Sequence, residues 1–151
     1  MKDYSLYIFD WEGTITSSAN FGLSEKVLDL LELLKSKNKK LAVATGGSRE
    51  PFDVVLEALK LKKYFDYTRT ASECNAKPQP QMINDILAYT GIDKADAVMI
   101  GDTENDIRMA KNAGIDSIAV CQGYCSREVF ELSEPSFTYD SIKDLYTDIC
   151  S

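Results

Sequence analysis

The sequence predicts an α/β fold: a three-layer, Rossmann-like parallel sheet with helices on both faces. Short apolar runs alternate with longer segments whose apolar residues recur at helical spacing, and this alternation extends along the whole chain. Strands that alternate with helices in one short chain are typical of a parallel sheet covered on both faces. The 151 residues, 44% of them hydrophobic, suffice for one core and are too few for two ordinary domains. We therefore expect residues 1–151 to form a single domain.

The N-terminal segment predicts a strand, a loop and a helix. Residues 5–9 form a short apolar run, and residues 11–22 are rich in Gly, Ser, Thr and Asn, which is typical of a loop. From Leu23 the apolar residues recur at helical spacing, and the helix ends in the basic stretch 35–40, which complements the negative end of a helix dipole. The apolar positions of this helix are Val27, Leu30, Leu31 and Leu34.

A second strand and helix follow, and then a less regular third strand. Residues 41–44 are a buried-strand run that breaks at a Thr-Gly-Gly turn, after which Pro51 opens a helix. Residues 64–71 can form a third strand, although two charged residues interrupt its apolar pattern. The second helix carries the apolar residues Val54, Val55, Ala58 and Leu59.

The third helix has clear boundaries in the sequence. Pro78 and Pro80 introduce it, and Gly91 closes it, as glycine often does at a helix end. Its apolar positions are Ile83, Ile86 and Leu87. Residues 97–100 then form a fourth strand, which runs directly into a Gly-Asp pair.

The last third of the chain predicts two more helices and two more strands. Thr103, with Asp106 three residues later, resembles a capping box, which would open a fourth helix that ends at Gly114. Residues 117–120 and 136–139 are expected to form the fifth and sixth strands. The closing helix is indicated by Ile142, Leu145 and Ile149.

The charge and apolar pattern of the chain argue against nucleic acid and membranes as partners. The formal net charge is −7 and the pI is about 4.6, so a phosphate backbone or an anionic membrane surface would repel the protein. No apolar segment approaches the length that spans a bilayer, and the N-terminus lacks the apolar run of a secretion signal. We therefore expect a cytoplasmic protein that binds no membrane.

Two residue types narrow the chemistry further. The chain contains no histidine, which removes every mechanism that needs an imidazole as base, nucleophile or metal ligand. Its four cysteines are dispersed and form no second CxxC pair, so structural zinc and a disulfide scaffold are both poor interpretations. These cysteines are Cys74, Cys121, Cys125 and Cys150.

Polar residues that follow the predicted strands are the candidates for a functional site. In an open parallel sheet, ligands bind beyond the carboxyl ends of the strands. Carboxylates that share such a site repel one another unless a cation lies among them, and few protein ligands favour Mg²⁺ over Ca²⁺. A metal, a lysine and a glycine-rich turn at a helix start together indicate a phosphate site. The candidates are Asp10, Glu12, Thr45, Gly46, Lys77, Asp102 and Asp106.

Four segments around these residues carry a family resemblance. In chain order they read IFDWEGT, VATG, AKPQP and GDTEND, and each follows a predicted strand. They resemble the four motifs of haloacid dehalogenase-like (HAD) phosphatases. The stretch AGIDSIAVCQGYCSRE, and the pairing of Pro135 with a final strand and helix, look like the C-terminal half of phosphoglycolate phosphatase-like members. The resemblance covers nearly the whole chain and implies a Mg²⁺-dependent phosphatase that hydrolyses a phosphate monoester.

The resemblance also implies a role for each candidate residue. Asp10 would be the nucleophile that takes the phosphoryl group as an aspartyl phosphate. Glu12 would protonate the leaving oxygen and then activate the hydrolytic water. The Thr45 hydroxyl and the Gly46 amide would hold phosphoryl oxygens, and Lys77 would offset negative charge on the nucleophile and the transferred group.

The same resemblance implies the metal ligands. Asp10, the backbone carbonyl of Glu12, and Asp102 would bind Mg²⁺. Asp106 completes this acidic set and would orient either Lys77 or a metal-bound water. The expected cofactor is therefore Mg²⁺, and the expected partner is a phosphorylated substrate.

Two features depart from the usual family pattern. Glu12 stands where the family usually has a second aspartate, and its extra methylene moves the carboxyl group by roughly a bond length, which can cost up to about a hundredfold in rate. The inserted cap domains usual after the first and second motifs have no room here. Capless relatives accept large substrates directly or borrow a neighbouring subunit as a lid. The phosphorylated substrate could therefore be small or macromolecular. A homo-oligomer could therefore supply a lid.

Three alternatives remain beside this interpretation. The segment CQGYCSR, residues 121–127, matches the CxxxxxR spacing of cysteine-dependent phosphatases, but we interpret it as a loop and a buried thiol. A receiver domain also combines aspartates, a threonine and a Lys-Pro pair, but in a different order along the chain. The third alternative is a HAD-fold protein that has lost turnover and binds a phosphate ligand or a partner, which Glu12 motivates.

Overall fold

The computed structural model describes residues 1–17, 22–122 and 126–151. Residues 18–21 of the predicted N-terminal loop, and residues 123–125 of the CQGYCSR segment, lie outside the described residues. Six parallel strands form one sheet in these ranges. The strands are β1 (Leu6–Phe9), β2 (Lys40–Thr45), β3 (Tyr67–Thr70), β4 (Ala97–Gly101), β5 (Asp116–Val120) and β6 (Phe137–Tyr139).

A helix connects each pair of successive strands along the chain, and the helix between β4 and β5 ends in a glycine turn that leads directly into the next strand. The α-helices are α1 (Val27–Ser36), α2 (Arg49–Ala58), α3 (Gln81–Thr90), α4 (Glu104–Ala113), α5 (Arg127–Ser133) and α6 (Ile142–Cys150). Short 3₁₀ turns precede β3 and β4, at Lys62–Tyr64 and Lys94–Asp96. None of the helices in the described ranges is long and apolar enough to span a membrane.

The strand order is β3-β2-β1-β4-β5-β6, so the chain changes direction across the sheet between β1 and β4. In an open α/β sheet, this switch point is where a crevice forms beyond the strand ends. Phe9 of β1 aligns with Ile100 of β4 and with Val43 of β2. The residues that follow β1 and β4 therefore emerge side by side.

The two faces of the sheet carry separate apolar cores. In β1, Tyr7 and Phe9 point to one face, where α1, α2 and α6 pack, and Leu6 and Ile8 point to the other, where α3 and α4 pack. This alternation follows from the two-residue period of a strand. The predicted three-layer arrangement with helices on both faces is confirmed.

The absence of a cap insertion is also confirmed by the connections around the site. The segment between β1 and β2 holds only α1, and the segment between β2 and β3 holds only α2 and a 3₁₀ turn in the described residues. Neither connection has the length of an additional domain. The carboxyl edge of the sheet therefore has no inserted domain above it.

The second helix buries only part of its apolar residues. Phe52 and Leu56, four residues apart, contact the core, whereas Val54 and Val55 are 64% and 40% exposed. The helix begins at Arg49, two residues before Pro51, so the larger Phe52 side chain defines its inward face. Val54 and Val55, which the sequence marks as apolar residues of this helix, therefore lie away from the core.

Other boundaries also differ from the sequence pattern. The first helix begins at Val27 and not at Leu23, and β3 begins at Tyr67 because the preceding residues form the 3₁₀ turn. The segment that we interpreted as a loop ends in a helix, since Arg127 opens α5 and pairs with Asp140 at 2.8 Å. The thiol of that segment, on Cys121, is partly buried.

Candidate active site

Two aspartates follow the central strands directly. The backbone N–H of Asp10 donates to the carbonyl of Ile100 at 2.9 Å, which continues the pairing of β1 with β4 by one residue. Asp102 comes immediately after the last residue of β4. Asp10 is 6% exposed and Asp102 is fully buried. The parallel sheet thus places two carboxylates together in a poorly solvated position.

Lys77 joins Asp10 to a third carboxylate. Its ammonium lies 2.7 Å from Oδ1 of Asp10 and 2.5 Å from Oδ1 of Asp106. Lys77 belongs to the loop after β3, and Asn112 of α4 holds that loop by donating to the carbonyl of Pro78 at 3.0 Å. The lysine therefore connects the segment after β3 with the ends of β1 and the start of α4.

Both carboxylate oxygens of Asp106 are engaged, one by the start of a helix and the other by Lys77. Its Oδ2 accepts hydrogen bonds from the backbone N–H of Thr103 at 3.2 Å and from the Thr103 hydroxyl at 2.9 Å, which forms the predicted capping box. Its Oδ1 is engaged by Lys77. Both oxygens have partners, so the carboxylate is held in one orientation and in turn orients the lysine.

Asp102 is the carboxylate with an unsatisfied oxygen. Its Oδ1 accepts a bond from the Thr14 hydroxyl at 3.3 Å, whereas its buried Oδ2 has no hydrogen-bond partner. An unpaired buried carboxylate oxygen is costly, and a bound cation is one way in which proteins satisfy such an atom. Asp10, Asp102 and Asp106 each offer an oxygen within 4.8 Å of the others. This donor set fits a hard, oxygen-ligated divalent ion.

Burial and mutual repulsion raise the pKa values of all three carboxyl groups. For Asp10, burial is the main cause of the raised pKa, and the charge of Lys77 opposes it. For Asp102, burial is again the main cause of the raised pKa, and hydrogen bonds oppose it. Burial also raises the pKa of Asp106 to about 6, although Lys77 opposes it. For Lys77, burial lowers the pKa, but the charges of Asp106 and Asp10 outweigh it and the net direction is upward. One ammonium among three carboxylates leaves the cluster short of positive charge.

The opposite wall of the site consists of the turn after β2. Thr45 is 3% exposed, and its hydroxyl oxygen accepts a hydrogen bond from the N–H of Gly47 at 3.2 Å. A methyl group added at Gly46 would meet no atom within 4 Å, so this residue borders open space. The turn and the lysine face a cleft of about 530 Å³. Its lining residues are Asp10, Glu12, Thr45, Gly46, Gly47, Ala76, Lys77, Thr103 and Asn105.

Glu12 lines the same cleft but stands apart from the buried carboxylates. Its side chain is exposed, and its backbone forms an isolated bridge with Thr16. The structure therefore brings all seven candidates to one edge of the sheet, with Glu12 at the solvent side. A larger cleft of about 620 Å³ along α2 and β3 includes none of them. The clustered charges identify the smaller cleft as the candidate site.

Sequence reasoning missed the residues that support the acidic cluster. Gly13 has φ +80°, and a Cβ atom there would lie 2.0 Å from Oδ2 of Asp102. Gln122 is 109 positions away in sequence, yet its Nε2 lies 3.0 Å from the carbonyl of Gly13 and 3.2 Å from that of Thr14. Its Oε1 accepts from the backbone of Ile142 at 2.8 Å. The glycine beside two acids was a usable signal, whereas nothing local marks the glutamine.

Comparison with known proteins gives matches along most of the chain. A family model described as haloacid dehalogenase-like hydrolase matches residues 3–120. The curated phosphoglycolate phosphatase of Escherichia coli K12 is 33% identical over 140 residues, which is 91% of this chain and 55% of that protein. The enzyme of the same name from Salmonella typhi is 32% identical over the same length. The chain thus spans about half the length of these curated relatives.

Solved structures resemble the fold closely. A predicted phosphatase from Clostridium acetobutylicum superposes with a TM-score of 0.88 over 99% of both chains, at 20% identity, and so supports the fold alone. A predicted phosphoglycolate phosphatase from Haemophilus somnus has a TM-score of 0.77 at 25% identity, over 85% of this chain and 57% of that one. The same core therefore occurs both in chains of this size and within longer ones.

We predict that Gly13→Ala destabilises the fold, because a methyl group would collide with Asp102 and the backbone conformation is strained for a residue with a side chain. The expected loss is about 2–3 kcal/mol in the free energy of unfolding. The matched control is Gly46→Ala, where the added methyl meets open space and should change stability by less than about 0.5 kcal/mol. Denaturant unfolding measures both. Equal stability of the two variants would contradict the close contact at Gly13.

We predict that stabilisation by Mg²⁺ increases between pH 5 and pH 7.5. The pKa of Asp106 is raised from 3.8 to about 6, so without metal the folded protein retains protons that the unfolded chain has lost. Without metal, the contribution of Asp106 to the free energy of unfolding therefore falls as the pH rises toward its folded-state pKa of about 6. Metal binding requires deprotonated carboxylates, so the stabilisation by Mg²⁺ grows as the pH rises through the same range.

Thermal unfolding with and without MgCl₂ at the two pH values measures this effect. At pH 7.5 and about a hundredfold excess over Kd, we expect the melting temperature to rise by roughly 5 °C. The variant Asp102→Asn should lose most of that rise. A Mg²⁺ effect of equal size at both pH values, or one that survives in Asp102→Asn, would show that the acidic cluster is not the metal site.

Proposed function

Because this chain belongs to the haloacid dehalogenase-like hydrolase family, we propose that it hydrolyses phosphate monoesters through an aspartyl phosphate on Asp10. One observation carries the proposal: the Lys77 ammonium lies between Asp10 and Asp106, and Asp102, whose buried Oδ2 has no hydrogen-bond partner, offers an oxygen within 4.8 Å of both carboxylates. A nucleophile, a charge-neutralising lysine and a cation-binding carboxylate are the parts that phosphoryl transfer requires.

In this proposal Mg²⁺ is held by Asp10, Asp102 and the backbone carbonyl of Glu12. When bound, the ion supplies positive charge that offsets the repulsion among the carboxylates and the phosphoryl oxygens. The orphaned Oδ2 of Asp102 and the short distances among the three carboxylates support this assignment. Asp106 contributes its charge and holds Lys77, because both of its oxygens already have protein partners.

In the first step a carboxylate oxygen of Asp10 forms a bond to phosphorus, and the bond from phosphorus to the ester oxygen breaks. Lys77 already engages Oδ1 of Asp10, so we assign the attack to Oδ2. Glu12, at the solvent side of the cleft, donates a proton to the leaving oxygen. The Thr45 hydroxyl and the Gly46 amide hold phosphoryl oxygens on the opposite wall, so the reacting group is fixed from both sides.

In the second step a water molecule attacks the phosphorus of the aspartyl phosphate. Glu12, now deprotonated, accepts a proton from that water, and the bond from phosphorus to the Asp10 oxygen breaks. The products are inorganic phosphate and the regenerated carboxylate of Asp10. Lys77 remains paired with Asp106 during this exchange, which keeps its ammonium in place while the charge on Asp10 changes.

The substrate is a phosphorylated molecule, small or macromolecular. The curated relatives are named for phosphoglycolate, but the chain matches only about half of their length, and the cap-free cleft supports a wider range of leaving groups. We also propose that residues 1–151 form a single core domain and that the protein is cytoplasmic. In a homo-oligomer, a second copy would supply a lid to the cleft.

A second candidate function is phosphate-ligand binding without turnover. It is favoured by Glu12, whose exposed carboxylate is outside the buried cluster and replaces the aspartate usual in the family. The remaining candidate residues would still bind a phosphate and a metal. The two functions differ in whether Asp10 becomes phosphorylated and then dephosphorylated.

We predict that Asp10→Asn lowers Mg²⁺-dependent hydrolysis of an aryl phosphate by at least about a thousandfold, because the nucleophile is lost. The control Asp93→Asn changes an exposed aspartate elsewhere and should retain full activity. Release of inorganic phosphate measures turnover, and mass spectrometry after acid quenching detects phosphorylated Asp10. Substantial turnover in Asp10→Asn would exclude the covalent mechanism.

We predict that Glu12→Gln lowers turnover of the aryl phosphate by roughly 10²–10⁴-fold, since proton transfer to and from this position is lost. An aryl leaving group needs little protonation, so the second step should suffer most and phosphorylated Asp10 should accumulate. Glu12→Asp should retain activity within about tenfold of the unaltered protein. If the unaltered protein shows no turnover and Glu12→Asp gains none, the binding function replaces the enzymatic one.

A further inference from the structure

A small recess adjoins the proposed phosphate cleft, and the family assignment says nothing about it. It has a volume of about 100 Å³. Three residues line both spaces, namely Glu12, Thr45 and Gly47. The recess is therefore continuous with the cleft and lies on its Glu12 side.

The far wall of the recess is apolar. It consists of Trp11, Pro51, Phe52 and Val55. The Trp11 and Phe52 rings meet edge to face, with centroids 5.1 Å apart, and each residue is 5% exposed. Two packed aromatic rings give this wall a defined shape, and half-exposed Val55 forms its rim.

The charge around the recess selects against an anionic occupant. Of the eight residues that line it, only Glu12 is charged. The neighbouring cation Arg49 does not line the recess and is paired with Asp53 at 3.1 Å and with Glu73. No positively charged residue lines the recess, so a carboxylate placed here would lose its hydration without a compensating charge, whereas an uncharged apolar group would lose only its contact with water.

We propose that this recess binds the leaving group of the substrate, and that the preferred substrates are phosphate monoesters of uncharged alcohols with an apolar, ring-sized group. The proposal rests on the function above, in which Glu12 protonates the leaving oxygen. Because Glu12 lines both spaces, that oxygen lies between the phosphate cleft and the recess, and the carbon next to it points toward Trp11 and Val55.

The size of the recess limits the group that it accepts. Apolar cavities of roughly 150 Å³ bind benzene. A recess of about 100 Å³ that opens to solvent therefore accommodates most of one ring or a short branched chain. A short carboxylated leaving group, such as the one implied by the names of the curated relatives, would gain nothing from this apolar wall and would find no positive charge in the recess.

The test compares three esters of primary alcohols, so that the chemical reactivity of the leaving groups is similar: benzyl phosphate, ethyl phosphate and 2-phosphoglycolate. We expect kcat/KM for benzyl phosphate to exceed the other two values by at least about tenfold, which is the lower range for burial of one apolar group in an enzyme pocket. Equal values for benzyl and ethyl phosphate, or a preference for 2-phosphoglycolate, would overturn the proposal.

Adjacent valines on α2 provide a matched pair of variants. Val55 lines the recess, whereas Val54 is 64% exposed and does not. Val55→Asn should reduce the ratio of kcat/KM for benzyl to that for ethyl phosphate toward one, and Val54→Asn should leave the ratio unchanged. A Val55→Asn variant that keeps the ratio but changes the mass of the protein in solution would assign the recess to a contact between copies and overturn the proposal.

Phosphonates have no ester bond to hydrolyse, so their binding tests the recess independently of turnover. If none of the esters is hydrolysed, the proposed function has failed, but the recess can still be tested with benzylphosphonate and ethylphosphonate in the presence of Mg²⁺. Calorimetry should then give benzylphosphonate at least about tenfold the affinity of ethylphosphonate, and Val55→Asn should remove the difference. Equal affinities would exclude an apolar leaving-group site.

Discussion

The contact of one buried ammonium with two buried carboxylates is the interaction on which the site depends. Lys77 reaches Asp10 and Asp106 within 2.7 Å, and neither carboxylate would be tolerable in this position without a positive charge nearby. The same contact joins three parts of the chain that are far apart in sequence. One side chain therefore offsets part of the charge of the acids and also fixes two of them relative to each other.

Asp106 illustrates how a structural device and a functional one can share a residue. A helix that begins just after a strand needs its first N–H groups satisfied, and a carboxylate three residues beyond the cap performs that task. In this molecule the other oxygen of that carboxylate holds Lys77. The capping box and the contact with Lys77 do not compete, because each uses a different oxygen of the Asp106 carboxylate.

Much of the fold and the site could be predicted because parallel sheets impose strong rules on the residues after each strand. The four motifs fall at strand ends, and the strand order places β1 and β4 together at the switch point. Contacts that depend on tertiary packing could not be predicted. The inward face of α2 followed Phe52 and not the valines, and Gln122 reaches the loop after β1 across more than a hundred positions. Nothing local marks the contact of Gln122, whereas the i, i+4 spacing of Phe52 and Leu56 was present in the sequence beside the competing valines.

Gln122 connects the last helix to the loop beside the acidic cluster. Its amide contacts the loop that carries Gly13 and Thr14, while its carbonyl oxygen accepts the first N–H of α6. Opening of the C-terminal helix would remove a constraint from that loop, and Thr14 in turn contacts Asp102. We therefore expect the terminal helix and the acidic cluster to open together in local unfolding. Ligands that order the cluster would slow amide hydrogen exchange in a helix that never touches them.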